Sequence, residues 1–136
     1  MDPRLRPGAT LPVLEQRLEL VDLVMYAGAT WDWHRWHYDA AAAAEANLRA
    51  PLVDGQMLGA FLARQALGWA GPRARIRRMS FRFAAMVFAG DTIRCEGEVR
   101  SVGSIGGALV VSLAQRILVG ERAAIESATM ELEVPE

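Results

Sequence analysis

The hydrophobic positions change period partway along the chain, from helical spacing to strict alternation, and that change sets the fold class. Met57, Leu58, Phe61, Leu62, Ala66 and Leu67 recur at helical spacing, and few polar residues, Gln56, Arg64 and Gln65, interrupt them. A helix over 56–69 with so wide an apolar surface must be covered on most sides. Asp54-Gly55 opens it and Gly71-Pro72 ends it. Beyond it, Met79, Phe81 and Phe83 alternate with Ser80 and Arg82, and Ile93, Cys95, Gly97 and Val99 alternate with Arg94, Glu96 and Glu98. The stretch 108–119 is rich in β-branched and apolar residues, and Ala128, Met130, Leu132 and Val134 alternate with Thr129, Glu131 and Glu133. Turn signals at 89–91, 103–107 and 120–121 separate these runs. One buried helix followed by about four long strands is an α+β pattern. The economical arrangement is an antiparallel sheet wrapped around the central apolar helix, covering it on one side and keeping one polar face outward.

The preceding segment is less regular. Pro3, Pro7, Gly8 and Pro12 make 1–13 an extended arm. Residues 14–20 can form a first strand. Val21, Val24 and Met25 fall on one face, which predicts a short helix over 21–27 ended by Gly28. Asp39 is placed to cap a helix over the alanine-rich 40–48, and Pro51 breaks that segment. No repeat or linker interrupts the chain, so 1–136 reads as one domain.

Composition removes whole classes of function. With 136 residues the chain can bury a real core, and its net charge of −1 gives no reason to expect nucleic acid or an acidic membrane as partner. All 15 basic residues are arginine, so lysine Schiff bases and P-loop lysines are excluded. A single cysteine, Cys95, excludes an internal disulfide and a multi-thiolate metal site, and its place in a strand makes it a core residue. The start, Met1-Asp2-Pro3-Arg4, lacks an apolar signal core, and no apolar run is long enough to span a membrane. The expectation is a cytoplasmic protein. There is no Gly-x-Ser-x-Gly elbow, and the glycines at 103–107 read as a hairpin loop rather than a nucleotide cradle.

The chemistry concentrates in 30–39, Thr-Trp-Asp-Trp-His-Arg-Trp-His-Tyr-Asp, which holds both histidines and three of the four tryptophans. His37 follows Asp32 by five residues, and a tight loop between them lets the two side chains converge on one water. A carboxylate and an imidazole straddling water can remove a proton from it and return one to carbon. Histidine suits that task because its reference pKa is roughly 6.5. The alternative is a capping Asp32 and a packed His37; the dense aromatics beside them favour acid–base work. His34, His37, Asp32 and Asp39 are too few and too loosely spaced to predict a metal site. His34 is expected to bond within the loop or line the pocket mouth, and Asp39 to cap a helix. Trp31, Trp33 and Trp36 are either core or the lining of an acyl tunnel, at least one facing the pocket or an interface.

Asp54-Gly55-Gln56 offers a second element. The first N–H groups of a helix lack intrahelical partners, and glycine admits close approach by a ligand. The Gly55 N–H could thus hold a carbonyl oxygen that becomes an enolate, with Asp54 and Gln56 beside the substrate. Arg73, Arg75, Arg77 and Arg78 cluster after the helix, either as a solvated strand surface or as a clamp for carrier phosphates, with Arg75 and Arg77 the candidates.

With these residues the chain resembles the MaoC-like dehydratases, the (R)-specific enoyl-CoA hydratases of hotdog fold. Asp32, His37 and Asp39 occupy the places of their Asp, the His five residues on and the acid two further, and Gly55 matches the glycine that starts their central helix. His34-Arg35 replaces the usual Asn-Pro, and Asp54 stands where a histidine is common. The tryptophan-rich stretch also resembles a subgroup with fungal-type hydroxyacyl-thioester dehydratases and mesaconyl-type CoA hydratases. Trp69-Ala70-Gly71-Pro72 and Gly90-Asp91-Thr92 are similar to small hydratase subunits of bacterial steroid side-chain degradation, which work with a related second subunit.

The resemblance implies a hotdog domain that adds water reversibly to a 2-enoyl thioester of coenzyme A or an acyl carrier. Asp32 and His37 would be the catalytic pair and Gly55 the oxyanion donor, with no cofactor. It implies a homodimer paired through sheets, or a heteromer with a related hotdog subunit. A hotdog thioesterase relying on Asp54 and a non-catalytic acyl-CoA-binding subunit remain as alternatives.

Overall fold

The computed structural model describes residues 2–135. In chain order these form β1 (Leu14–Arg17), α1 (Leu20–Thr30), a 3-10 turn (Arg35–His37), α2 (Ala40–Glu45), α3 (Gly55–Ala70), β2 (Arg75–Phe81), β3 (Thr92–Ile105), β4 (Ala108–Val119) and β5 (Arg122–Val134). The five strands make one antiparallel sheet in the order β1-β3-β4-β5-β2. β3, β4 and β5 form a meander, and α3 carries the chain from one side of it to the opposite edge, where β2 pairs with β5.

Alternation explains how α3 is covered. Ile93, Cys95 and Val99 of β3, Val111, Leu113 and Ile117 of β4, and Ala128, Met130 and Leu132 of β5 are buried together with Met57, Leu58, Leu62, Ala66 and Trp69 of α3. Their polar neighbours point outward, where Arg94, Glu96 and Arg116 pair at 2.9 and 2.6 Å. Cys95 is fully buried, and burial pushes its thiol up to about 12, so it stays protonated. Two glutamines share this core: Gln65 of α3 and Gln115 of β4 are 5% and 3% exposed. Gln65 Nε2 donates to the Pro12 and Cys95 carbonyls, and Gln115 Nε2 donates to the Leu62 carbonyl and to Gln65 Oε1.

The N-terminal elements depart from expectation in several places. The expected arm, apart from Met1, which lies outside the described residues, is tied down: Gly8 and Leu11 donate to the Val99 and Gly97 carbonyls, and Val99 donates to that of Ala9. β1 ends at Arg17, because Glu19 and Asp22 form a capping box that starts α1. Gly28 does not end α1. It lies within the helix, where a Cβ would sit 3.6 Å from the Trp33 ring, and a left-handed Trp31 (φ 58°) ends the helix. The buried face of α1 is Leu23 and Ala27, while Val21 and Met25 are 60% and 68% exposed, so the Val21/Val24/Met25 stripe faces outward. α2 stops at Glu45, short of 48, because Asn47 turns left-handed (φ 59°) and Leu48 N–H closes on the Ala43 carbonyl. Phe83 lies past the end of β2 and packs on Gly55.

Candidate active site

The left-handed cap of α1 reverses the chain, with Asp32 N–H donating to the Ala27 carbonyl at 3.0 Å. That turn brings Asp32 back beside α1, where its Oδ1 accepts from His34 N–H at 3.3 Å. The 3-10 turn follows, capped by His34, whose Nδ1 accepts from Trp36 N–H. It delivers His37 to the segment before α3: Leu52 N–H donates to the Trp36 carbonyl, and His37 Nδ1 lies 2.6 Å from the Leu52 carbonyl oxygen. A carbonyl only accepts, so Nδ1 carries the hydrogen and the Nε2 of the neutral ring is left as a base.

Asp54 caps α3 by accepting from Gln56 N–H through Oδ1. Asp32, His37 and Asp54 are all half-buried and offer donor atoms within 4.8 Å of one another. Two such atoms can touch one water together, because hydrogen bonds of about 2.8 Å span up to roughly 5.6 Å. Leu23, Tyr26, Ala27 and Met57 complete a narrow cleft around the three.

Tyr26 was not among the residues expected here. Burial, and then the charge of Asp54, raise its phenol above the ordinary value, so it stays a hydrogen-bond donor. Leu23, Tyr26 and Ala27 share one helical face at i, i+3 and i+4, and that spacing is the signal that marks Tyr26.

Gly55 borders a different space, an apolar groove with Leu52, Phe83 and Met86, and follows in the chain the Asp54 that lines the cleft. Its N–H starts α3 and makes no hydrogen bond among the described residues. A Cβ at Gly55 would lie 2.4 Å from the tip of the Phe83 ring. Gly55→Ala is expected to destabilise the protein by about 1–3 kcal/mol through overpacking. Urea unfolding should show that cost shrink when Phe83→Ala is combined with it; an equal cost in both backgrounds would exclude the contact as its cause.

Several expected site residues lie elsewhere. Trp31, Trp33 and Trp36 are 81%, 44% and 42% exposed and do not line the cleft. The same turn that sends Asp32 and His37 inward sends their neighbours outward: Trp33 folds onto Gly28 and edge-on to Tyr38, and His34 stacks edge-on to Trp36. His34 thus bonds within the loop. Gln56 lends its N–H to the cap while its side chain is exposed. Arg75 and Arg77 are remote from the pair. Phe83 lies over Gly55 and Phe81 over Gly59, so β2 runs antiparallel to α3. Arg75 therefore begins the strand about 20 Å from Phe81, at the far end of the helix. It is exposed, and Arg77 is 3.5 Å from Glu133. Asp39 caps α2, and the Arg35 guanidinium with the Ala41 and Ala42 amides holds its carboxyl below the usual range. Neither His34 nor Asp39 joins Asp32, His37 and Asp54.

No helix among the described residues is long and apolar enough to cross a membrane. The chain matches the MaoC like domain over residues 5–120. The 3-oxo-4,17-pregnadiene-20-carboxyl-CoA hydratase beta subunit of Mycobacterium tuberculosis is 30% identical to it over 125 residues, 92% of this chain and 93% of that protein. The crystal structure of the ChsH1-ChsH2 complex from Mycobacterium tuberculosis holds a chain with a TM-score of 0.86 at 26% identity, covering 95% of this chain and 98% of that one. Unliganded R-hydratase PhaJ1 from Pseudomonas aeruginosa gives a TM-score of 0.85 at 25% identity, over 97% of this chain and 83% of that one. With the domain matched over most of its length and a relative at 30% identity along nearly all of it, this chain belongs to the MaoC-like hydratases and dehydratases, a family of hydro-lyases with the hotdog fold.

Proposed function

We propose that the protein adds water reversibly to a 2-enoyl thioester, a coenzyme A ester in the first instance, giving the (3R)-3-hydroxyacyl thioester. The observation that carries this reading is the placement of Asp32 and His37 within reach of one water, with His37 Nδ1 fixed on the Leu52 carbonyl. The water lies between the Asp32 carboxylate and His37 Nε2. Its oxygen bonds to C3 as the imidazole takes a proton, and the C2=C3 π pair moves onto the thioester as an enolate. Gly55 N–H, free of other partners among the described residues, receives the enolate oxygen, and Tyr26 keeps a protonated phenol at the cleft. The proton then returns from the pair to C2. An O–H and a π bond break, C–O and C–H bonds form, and nothing is oxidised, so no cofactor is required.

The protein works in the cytoplasm, beside a second hotdog chain of its own kind or a related one. The outward apolar face of α1, with Val21 and Met25 exposed, supports a covered surface there. A relative named as a beta subunit, and a structure of a two-protein complex, support a heteromer.

A thioesterase is the second reading, favoured by Asp54, a carboxylate at the start of the central helix beside the pair. It would direct water to the thioester carbon and release free thiol. Incubation with crotonyl-CoA and longer 2-enoyl-CoAs, following enoyl absorbance and free thiol together, separates the two. Absorbance loss without thiol is the expected result; thiol release would replace the assignment with thioesterase.

A further inference from the structure

The cleft carries two carboxylates and no cationic side chain to offset them. Asp32 and Asp54 both offer oxygens within 4.8 Å of each other and of His37, and Leu23, Tyr26, Ala27 and Met57 supply the rest of the lining. The nearby arginines are committed or outside. Arg35 pairs with Asp39 at 2.7 Å, Arg49 with Asp91 at 2.7 Å, and Arg64 lines the next groove, which also holds Asp22. Opposing positive charge comes from the start of α3, worth about half a charge and already capped by Asp54.

We propose that Asp54 is a specificity-determining residue that confines this site to 2-enoyl thioesters bearing no carboxylate at the reacting carbons. The inference deepens the hydratase reading and rests on it. Asp32 is needed for the water, so its charge is common to every substrate. Asp54 adds a second negative charge beside the position of C3. A carboxylate on C3 would lie within about 5 Å of both, unpaired by any side chain of the cleft. Its repulsion spans roughly fourfold to a few hundredfold in rate, depending on how much water screens it. The other walls are apolar or neutral and accept a hydrocarbon substituent at the same place.

Crotonyl-CoA and fumaryl-CoA test this directly, because they differ only in a methyl against a carboxylate on C3. Their shared coenzyme A contributes equally to both. The wild-type protein is expected to favour crotonyl-CoA in kcat/KM by about a hundredfold, the upper part of that range. Asp54→Asn keeps an N-cap acceptor while removing the charge, and should lower the preference about tenfold. The ratio does not depend on the active fraction of either preparation. Equal use of the two esters by the wild type, or an unchanged ratio in Asp54→Asn, overturns the proposal.

Calorimetric binding of butyryl-CoA and succinyl-CoA, the saturated counterparts, separates this inference from the hydratase reading. Crotonyl-CoA hydration with an unchanged ratio leaves the hydratase and removes the role of Asp54. Tighter binding of butyryl-CoA, narrowed by Asp54→Asn and without any hydration, keeps the role and removes the hydratase. Failure both to hydrate crotonyl-CoA and to discriminate in binding removes both.

Discussion

Asp32→Asn and Asp32→Ala are expected to lower kcat/KM for hydration of crotonyl-CoA by about 10³- to 10⁴-fold. Asparagine still accepts the His34 N–H that Asp32 Oδ1 receives at 3.3 Å, so the loop keeps its turn while the water loses its charged partner. The fold has little at stake, because Asp32 is half-buried and that bond is long. His37→Ala should cost as much. It also removes the contact to the Leu52 carbonyl, and with it one tie between the loop and the start of α3. The double variant should be scarcely slower than either single one, since in the proposed mechanism the two groups act on one water and fail together. Thermal melts of the two Asp32 variants should stay near that of the parent, and His37→Ala and the double variant should melt slightly lower for loss of the Leu52 contact. A rate within tenfold of the parent for Asp32→Ala would refute the dyad. Thiol release surviving in that variant but lost in Asp54→Asn would assign the chemistry to a thioesterase.

How far the fold was legible follows from which forces act locally. α3 and the long strands are written in the period of their apolar residues, because each buries one continuous face against the others. Cys95 and Val99 alternate inward whatever the loops do, and the sheet around α3 is that pattern's consequence. α1 was harder because it offers two apolar faces. The stripe of Val21, Val24 and Met25 is as regular as that of Leu23 and Ala27, and packing rather than pattern sets which turns inward. Tyr26 was missed with the buried face.

The loop at 31–39 shows the same limit. Asp32 and His37 stood out by residue type, and the structure brings their side chains together. The outward tryptophans depend on a left-handed residue at Trp31, a conformation that bulky side chains seldom adopt and that glycine adopts freely. Gly28 instead makes room for Trp33. Arg75 and Arg77 could not be placed by spacing alone. A helix of 16 residues carries the chain away from the cleft before β2 begins, so closeness in sequence to α3 became distance from its working end.

Gln65→Leu is expected to destabilise the protein by about 2–4 kcal/mol, a large share of the stability of a domain this size. Gln65 is 5% exposed and joins four segments: Pro12 of the arm, Cys95 of β3, its own helix α3, and Gln115 of β4. Leucine fills a similar volume but leaves the Pro12 carbonyl without that donor and Gln115 Nε2 with only the Leu62 carbonyl. Gln115 already has one buried oxygen, Oε1, without a partner. Gly97 is part of the same design, because a Cβ there would lie 3.2 Å from Gln115 Cγ and 3.4 Å from Gln65 Oε1. The two amides thus tie α3 to the arm and to the sheet at one point along the helix. Removing both amides leaves fewer stranded groups than removing one, so Gln65→Leu with Gln115→Leu should cost less than the sum of the single changes. Urea unfolding of the four proteins measures that coupling directly. Strict additivity would show that each amide acts alone, and a Gln65→Leu cost below about 0.5 kcal/mol, the scale of an ordinary surface change, would show that α3 is held by its apolar face without them.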